Sequence, residues 1–104
     1  MSELRENLQP YADAVEALRE VGRIFWQRGW SVGTSSNYSV VVERNPLTIL
    51  VTASGKDKRL LMPNDFVLVD ADGRSTAEGQ PKSSAETLLH CIAASSPHVG
   101  AVLH

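Results

Sequence analysis

Cysteine occurs once in the 104 residues, as Cys91, so an intrachain disulfide framework is excluded and the chain suits a reducing compartment. Beside Leu88, Leu89 and Ile92, that cysteine is expected to be buried filler. Charge of one sign is also lacking: ten Lys and Arg stand against twelve Asp and Glu, for a net charge of −2. That balance gives no electrostatic reason to expect nucleic acid or an anionic membrane as a partner. No apolar run approaches the roughly 18 residues that a membrane-spanning helix needs. The opening MSELRENLQPY is charged at once and lacks the apolar core of a signal peptide. The expected location is therefore cytoplasmic. Repeats, low-complexity segments, a P-loop and a dinucleotide GxGxxG pattern are all missing.

What is present is ordinary globular material, 42% hydrophobic and 21% charged, enough for a packed core in one small domain or part of a larger one. Val15, Leu18, Val21 or Gly22, and Phe25 recur at three- and four-residue steps, with Leu4, Leu8 and Ile24 on or near the stripe. Pro10 predicts a break, with the main helix starting near residue 10 or 11 and ending at Gly29. NYSVVVE and LTILVTA have strand composition, joined by a hairpin turn at Arg44-Asn45-Pro46. A third strand, Phe66 to Asp70, runs into the turn signal Asp72-Gly73. Helical spacing returns from Ser84 to Ala94 through Leu88, Leu89, Ile92 and Ala93, with Ser83 or Ser84 as the expected N-cap. The final run PHVGAVLH alternates in the manner of a strand buried on both faces. The order helix, strands, helix, strand predicts a layered α/β domain with an at least partly antiparallel sheet. Because nothing follows the last strand to cover it, residues 1–104 are expected to be the N-terminal part of a single domain.

Three segments hold residues suited to chemistry. GTSSN (33–37) and TASGK (52–56) cluster small hydroxyl residues around glycine at strand ends. Such loops expose backbone N–H groups and hydroxyls to a phosphate or sugar, although ordinary turns share the composition. PKSSAETLLH opens a helix with Lys82 and two serines, and carries Glu86 and His90 at i and i+4. That start could hold an anion or simply cap the helix, while His90, near the apolar side, is expected in a core or interface. His104 ends the last strand. In a strand, residues i and i+2 share a face, so His104 could be the first half of a metal-binding His-x-His pair, or a structural histidine.

Taken together, GTSSNYSV, TASGKDK, PKSSAETLLH and VGAVLH resemble the class II aldolase/adducin family in order and spacing from about residue 10 to 104. Within it they look most like the sugar-phosphate dehydratases. The resemblance implies a three-layer α/β/α fold with a mainly antiparallel central sheet, a homotetramer, and one zinc ion per subunit held by three histidines. His104 matches the first metal ligand. Asn37, Ser54, Gly55, Ser83 and Ser84 match positions that bind substrate phosphate or hydroxyls, and Glu86 matches the acidic catalytic residue. The implied activity is dehydration of a ketose phosphate. Aldolase or epimerase chemistry on the same fold is the alternative, as is a non-catalytic adducin-like module that makes protein contacts.

Overall fold

Pro10 cannot donate to a continuous α-helical ladder, and the backbone registers this. In the computed structural model, which describes residues 4–30, 36–57, 60–76, 80 and 86–103, a 3-10 helix over Glu6–Tyr11 contains Pro10 and passes into α1, Ala12–Gln27. Val15, Leu18 and Gly22 form the buried stripe of α1, with Val21 and Phe25 packed partly beside it, whereas Ile24 turns outward. The helix stops in a Schellman arrangement. Trp30 N–H donates to Phe25 C=O (2.8 Å) and Gly29 N–H to Trp26 C=O (3.0 Å). Gly29 sits at φ +73°, the left-handed conformation that favours glycine. The accompanying apolar contact is the edge-on pair of Phe25 and Trp30, with ring centroids 5.3 Å apart.

Four strands form one sheet: β1 (Tyr38–Arg44), β2 (Leu47–Thr52), β3 (Phe66–Asp70) and β4 (Ala101–Leu103), in the order β3-β2-β1-β4. Every pairing is antiparallel. The expected hairpin turn joins β1 and β2 through a cis Asn45–Pro46 bond, and a bulge between Val41 and Glu43 bends β1 near it. Alternation along β2 and β3 supplies two separate cores. Leu50, Phe66 and Leu68 face α1 with Tyr38, Leu8, Val15 and Leu18. Ile49, Val51, Val67 and Val69 face the other way, onto Cys91 and Ala94 of α2, Thr87–Ala94. Helix, sheet and helix make the three-layer α/β/α arrangement that the sequence implied.

One expectation needs correction. Leu88, Leu89 and Ile92 do not line the core: they are 54%, 60% and 64% exposed, and α2 instead buries Thr87, His90, Cys91 and Ala94. Eight residues give α2 two turns, and with apolar side chains on both sides the spacing alone could not say which side meets the sheet. β4 lies at the edge of the described sheet, with Ala101 and Leu103 exposed. The Ser83 and Ser84 N-cap lies outside the described residues; the residue flanking α2 is Glu86, which makes no side-chain capping bond.

Arg44 and Cys91 supply two of the polar ties between α2 and the sheet. The Arg44 guanidinium donates to the carbonyls of Ala94 (3.3 Å), Ser96 (3.2 Å) and Val99, clasping the segment that leads from α2 into β4. Cys91 is buried as expected, and its Sγ donates to Asp70 C=O at 3.3 Å. Burial, and then the charges of Asp70 and Asp72, push its thiol pKa up. No helix among the described residues is long and apolar enough to cross a membrane.

The burial pattern predicts that Leu50→Ala lowers stability by about 2–5 kcal/mol, whereas Leu89→Ala changes it by no more than about 0.5 kcal/mol. Urea unfolding of both variants measures this, and equal losses would mean that α2 packs by its other face.

Candidate functional site

The sheet end where β1 begins and β2 finishes gathers most of the candidate residues. Asn37 stands one residue ahead of β1 and is buried, only 6% exposed. Thr52, the last residue of β2, is fully buried opposite it. The Thr52 hydroxyl accepts from Tyr38 N–H (3.2 Å) and donates to Asn37 Oδ1 (3.5 Å, the outer limit of a hydrogen bond). One hydroxyl therefore ties the entry of β1 and the Asn37 amide to the end of β2.

Two residues beyond Thr52 the chain turns at Ser54-Gly55, both exposed. Gly55 has φ +74°, so the turn needs glycine for its backbone rather than for space, since an added Cβ would meet nothing within 4 Å. Asp65 holds this turn from behind. Its carbonyl accepts from Ala53 N–H (2.8 Å), its Oδ2 accepts from Met62 N–H (2.9 Å), and its Oδ1 lies 3.6 Å from Lys56 Nζ. With Lys56 42% exposed, the ion pair is worth at most about 1 kcal/mol; the backbone bonds do the fixing.

Glu86 arrives from the other layer, at the start of α2, with its Oε2 shielded from solvent. One turn on, His90 is 1% exposed, and its Nδ1 shares a 2.6 Å hydrogen bond with the equally buried Ser39 Oγ of β1. The core position expected of His90 is what the structure shows. The two loops singled out by composition thus meet through Asn37 and Thr52, and Glu86 comes from a helix bonded to the same strand. Residues 33–35 of the first loop, Lys82, Ser83, Ser84 and His104 lie outside the described residues. Among the described residues, no three His, Cys, Asp or Glu side chains come together to hold a metal ion, so they do not by themselves make up a zinc donor set.

Sequence reasoning placed Thr52 in the second loop without its anchoring role, and missed Asp65 and the Ser39–His90 pair. A signal existed for two of these features. Ser39 and Thr52 are hydroxyls inside otherwise apolar strand runs, where a buried polar group requires a partner. Asp65 gave no such sign.

The profile of the class II aldolase and adducin N-terminal domain matches residues 16–104. The chain belongs to this family. Methylthioribulose-1-phosphate dehydratase of Geobacillus kaustophilus is 49% identical to it over 87 residues, which are 84% of this chain and 41% of that protein. Among solved structures, YgbL of Escherichia coli superposes with a TM-score of 0.79 at 28% identity, over 89% of this chain and 44% of its own. L-fuculose-1-phosphate aldolase of Thermus thermophilus does so with a TM-score of 0.73 at 26% identity, over 89% and 46%. These class II aldolase-fold proteins share the helix–sheet–helix layering described above. The chain spans less than half the length of each of these proteins.

If the Thr52 hydroxyl joins the family site's two strand ends, Thr52→Val should cost about 1–3 kcal/mol by leaving Tyr38 N–H unpaired. Thr52→Ser should recover most of that loss. Thermal and urea unfolding of the two variants test this, and equal stability for both would remove the hydroxyl from its anchoring role.

Proposed function

We propose that residues 1–104 form the N-terminal portion of a single class II aldolase-like domain, and that the complete protein dehydrates 5-methylthioribulose 1-phosphate. The product is the 2,3-diketo-5-methylthiopentyl 1-phosphate of methionine salvage, formed in the cytoplasm by a homotetramer. The observation that carries this reading is the 49% identity to a dehydratase acting on that substrate. The reading includes one zinc ion per subunit, to which His104 contributes the first ligand. Since the described residues do not make up a zinc donor set, each step below is assigned to this chain's own groups.

Dehydration removes the C3 proton and the C4 hydroxyl, so it needs a base at C3 and a proton for the departing oxygen; the enol left behind loses its C3 hydroxyl proton and gains one at C4 to give the 2,3-diketone. In this reading Glu86 is the base: it opens a helix docked on β1, and its Oε2 is shielded from solvent. Asn37 and the Ser54-Gly55 turn, with Ser83 and Ser84, hold the phosphate and hydroxyls. The turn supports this role because its backbone and its serine hydroxyl are exposed while Asp65 fixes its base. A phosphate gripped there supplies binding energy remote from C3 and C4, which can be applied to orienting the reacting carbons. The likeness to L-fuculose-1-phosphate aldolase favours a second reading, cleavage of C3–C4 in a sugar phosphate, which needs the same phosphate grip.

The test supplies the full-length protein with methylthioribulose 1-phosphate and follows formation of the diketone. Turnover is expected, with kcat falling about 10²–10⁴-fold in Glu86→Gln and KM rising in Ser84→Ala. Aldehyde release from a sugar phosphate without diketone formation would select the aldolase reading.

A further inference from the structure

His90 raises a question that packing does not answer. Cys91 and Ala94 fill the same face of α2 with small apolar groups, yet His90 places a polar imidazole at 1% exposure. Burying such a ring is costly unless it is hydrogen-bonded, and for filling space alone an apolar side chain serves better. What the imidazole does make is the 2.6 Å bond to Ser39 Oγ. Ser39 lies two residues along from Asn37, and it is paired to Val51 of β2 on one side and to Val102 of β4 on the other. It is therefore a rigid point of the sheet. His90 lies one turn from Glu86, and its N–H reaches the Glu86 carbonyl (3.4 Å), alongside Leu89 N–H at 3.0 Å. The path from Asn37 to Glu86 is short and made of named contacts: strand backbone, the Ser39 hydroxyl, the imidazole and one helical turn.

We propose that the Ser39–His90 hydrogen bond positions Glu86, making His90 a positioning residue that sets where the carboxylate stands relative to the substrate-holding Asn37. This rests on the role given to Glu86 above. Glu86 makes no side-chain cap bond, so a hydrogen bond one turn on helps to set where α2 begins along the sheet. Cys91 Sγ, bonded to the Asp70 carbonyl of β3, and the Arg44 clasp hold α2 from Cys91 onward. The Ser39–His90 bond adds a tie to a central strand one turn from Glu86.

In the full-length protein, His90→Leu and Ser39→Ala are expected to lower kcat by about 10- to 100-fold, as a displacement near 1 Å would. KM should stay within about threefold, because Asn37 and the Ser54-Gly55 turn are untouched. His90→Asn, whose amide can reach the place of Nδ1, should return kcat to within about threefold of the parent. A second readout needs no substrate: the amide resonances of Glu86 and Thr87 should move in Ser39→Ala and His90→Leu, and hold in His90→Asn and in the exposed control Leu89→Ala. Unmoved amides, an unchanged kcat in folded His90→Leu, or a His90→Asn variant no better than His90→Leu would overturn the proposal. Ser39→Ala decides the matter if His90→Leu does not fold. Absence of diketone from the parent protein would count against the dehydratase reading, while the amide readout would still judge the positioning role.

Discussion

Burial of β2 on both faces is the constraint from which the rest of the structure follows. Ile49 and Val51 point to one side and Leu50 to the other, all at 1% exposure or less. A strand of that kind cannot sit in a two-layer sandwich of one helix on one sheet. It requires cover from both directions, and α1 and α2 provide it. The same strand is hydrogen-bonded along both edges, to β1 and to β3, so its end cannot drift. The candidate site is built on that end.

Polar groups then convert a packed sheet into a place where ligand-binding residues have fixed relative positions. The Thr52 hydroxyl ties β2 to the entry of β1, Asp65 holds the turn beyond it, and Ser39 with His90 brings in α2. The Thr52–Tyr38 and Ser39–His90 bonds are buried and join residues distant in sequence, and the Asp65 carbonyl ties the residue ahead of β3 to Ala53, beside the Ser54-Gly55 turn. Precision at a site of this kind comes from supporting contacts more than from the ligand-facing residues. Here the supports come from β1, β2, the entry to β3 and α2.

How much of this was legible in the sequence depends on which force wrote it. The α1 stripe, the hairpin and the third strand were readable because hydrophobic periodicity over many residues leaves a pattern. The family likeness was readable because four segments agreed in order and spacing, and the fold followed from it. The orientation of α2 was not. Leu88, Leu89 and Ile92 are more apolar than Thr87 and His90, yet the latter pair face the sheet. Hydropathy failed there because Ser39 offers a polar partner from inside the strand, and pairing two polar groups reverses the preference that each has alone.

The same distinction explains how one framework can resemble both a dehydratase and an aldolase. The anchors at the end of β1 and β2 fix Asn37 and the Ser54-Gly55 turn relative to each other, and on the proposed reading either reaction needs them unchanged. The two chemistries diverge at C4, where one expels the oxygen and the other parts from the carbon. That choice turns on where a proton donor stands, over distances of about an ångström, and a small displacement costs much in rate. A contact that sets the position of one carboxylate therefore bears more on the outcome than the sheet architecture does. In this chain the contact proposed for that role is a serine hydroxyl against an imidazole, one helical turn from Glu86 and buried between layers that hydrophobic packing brings together.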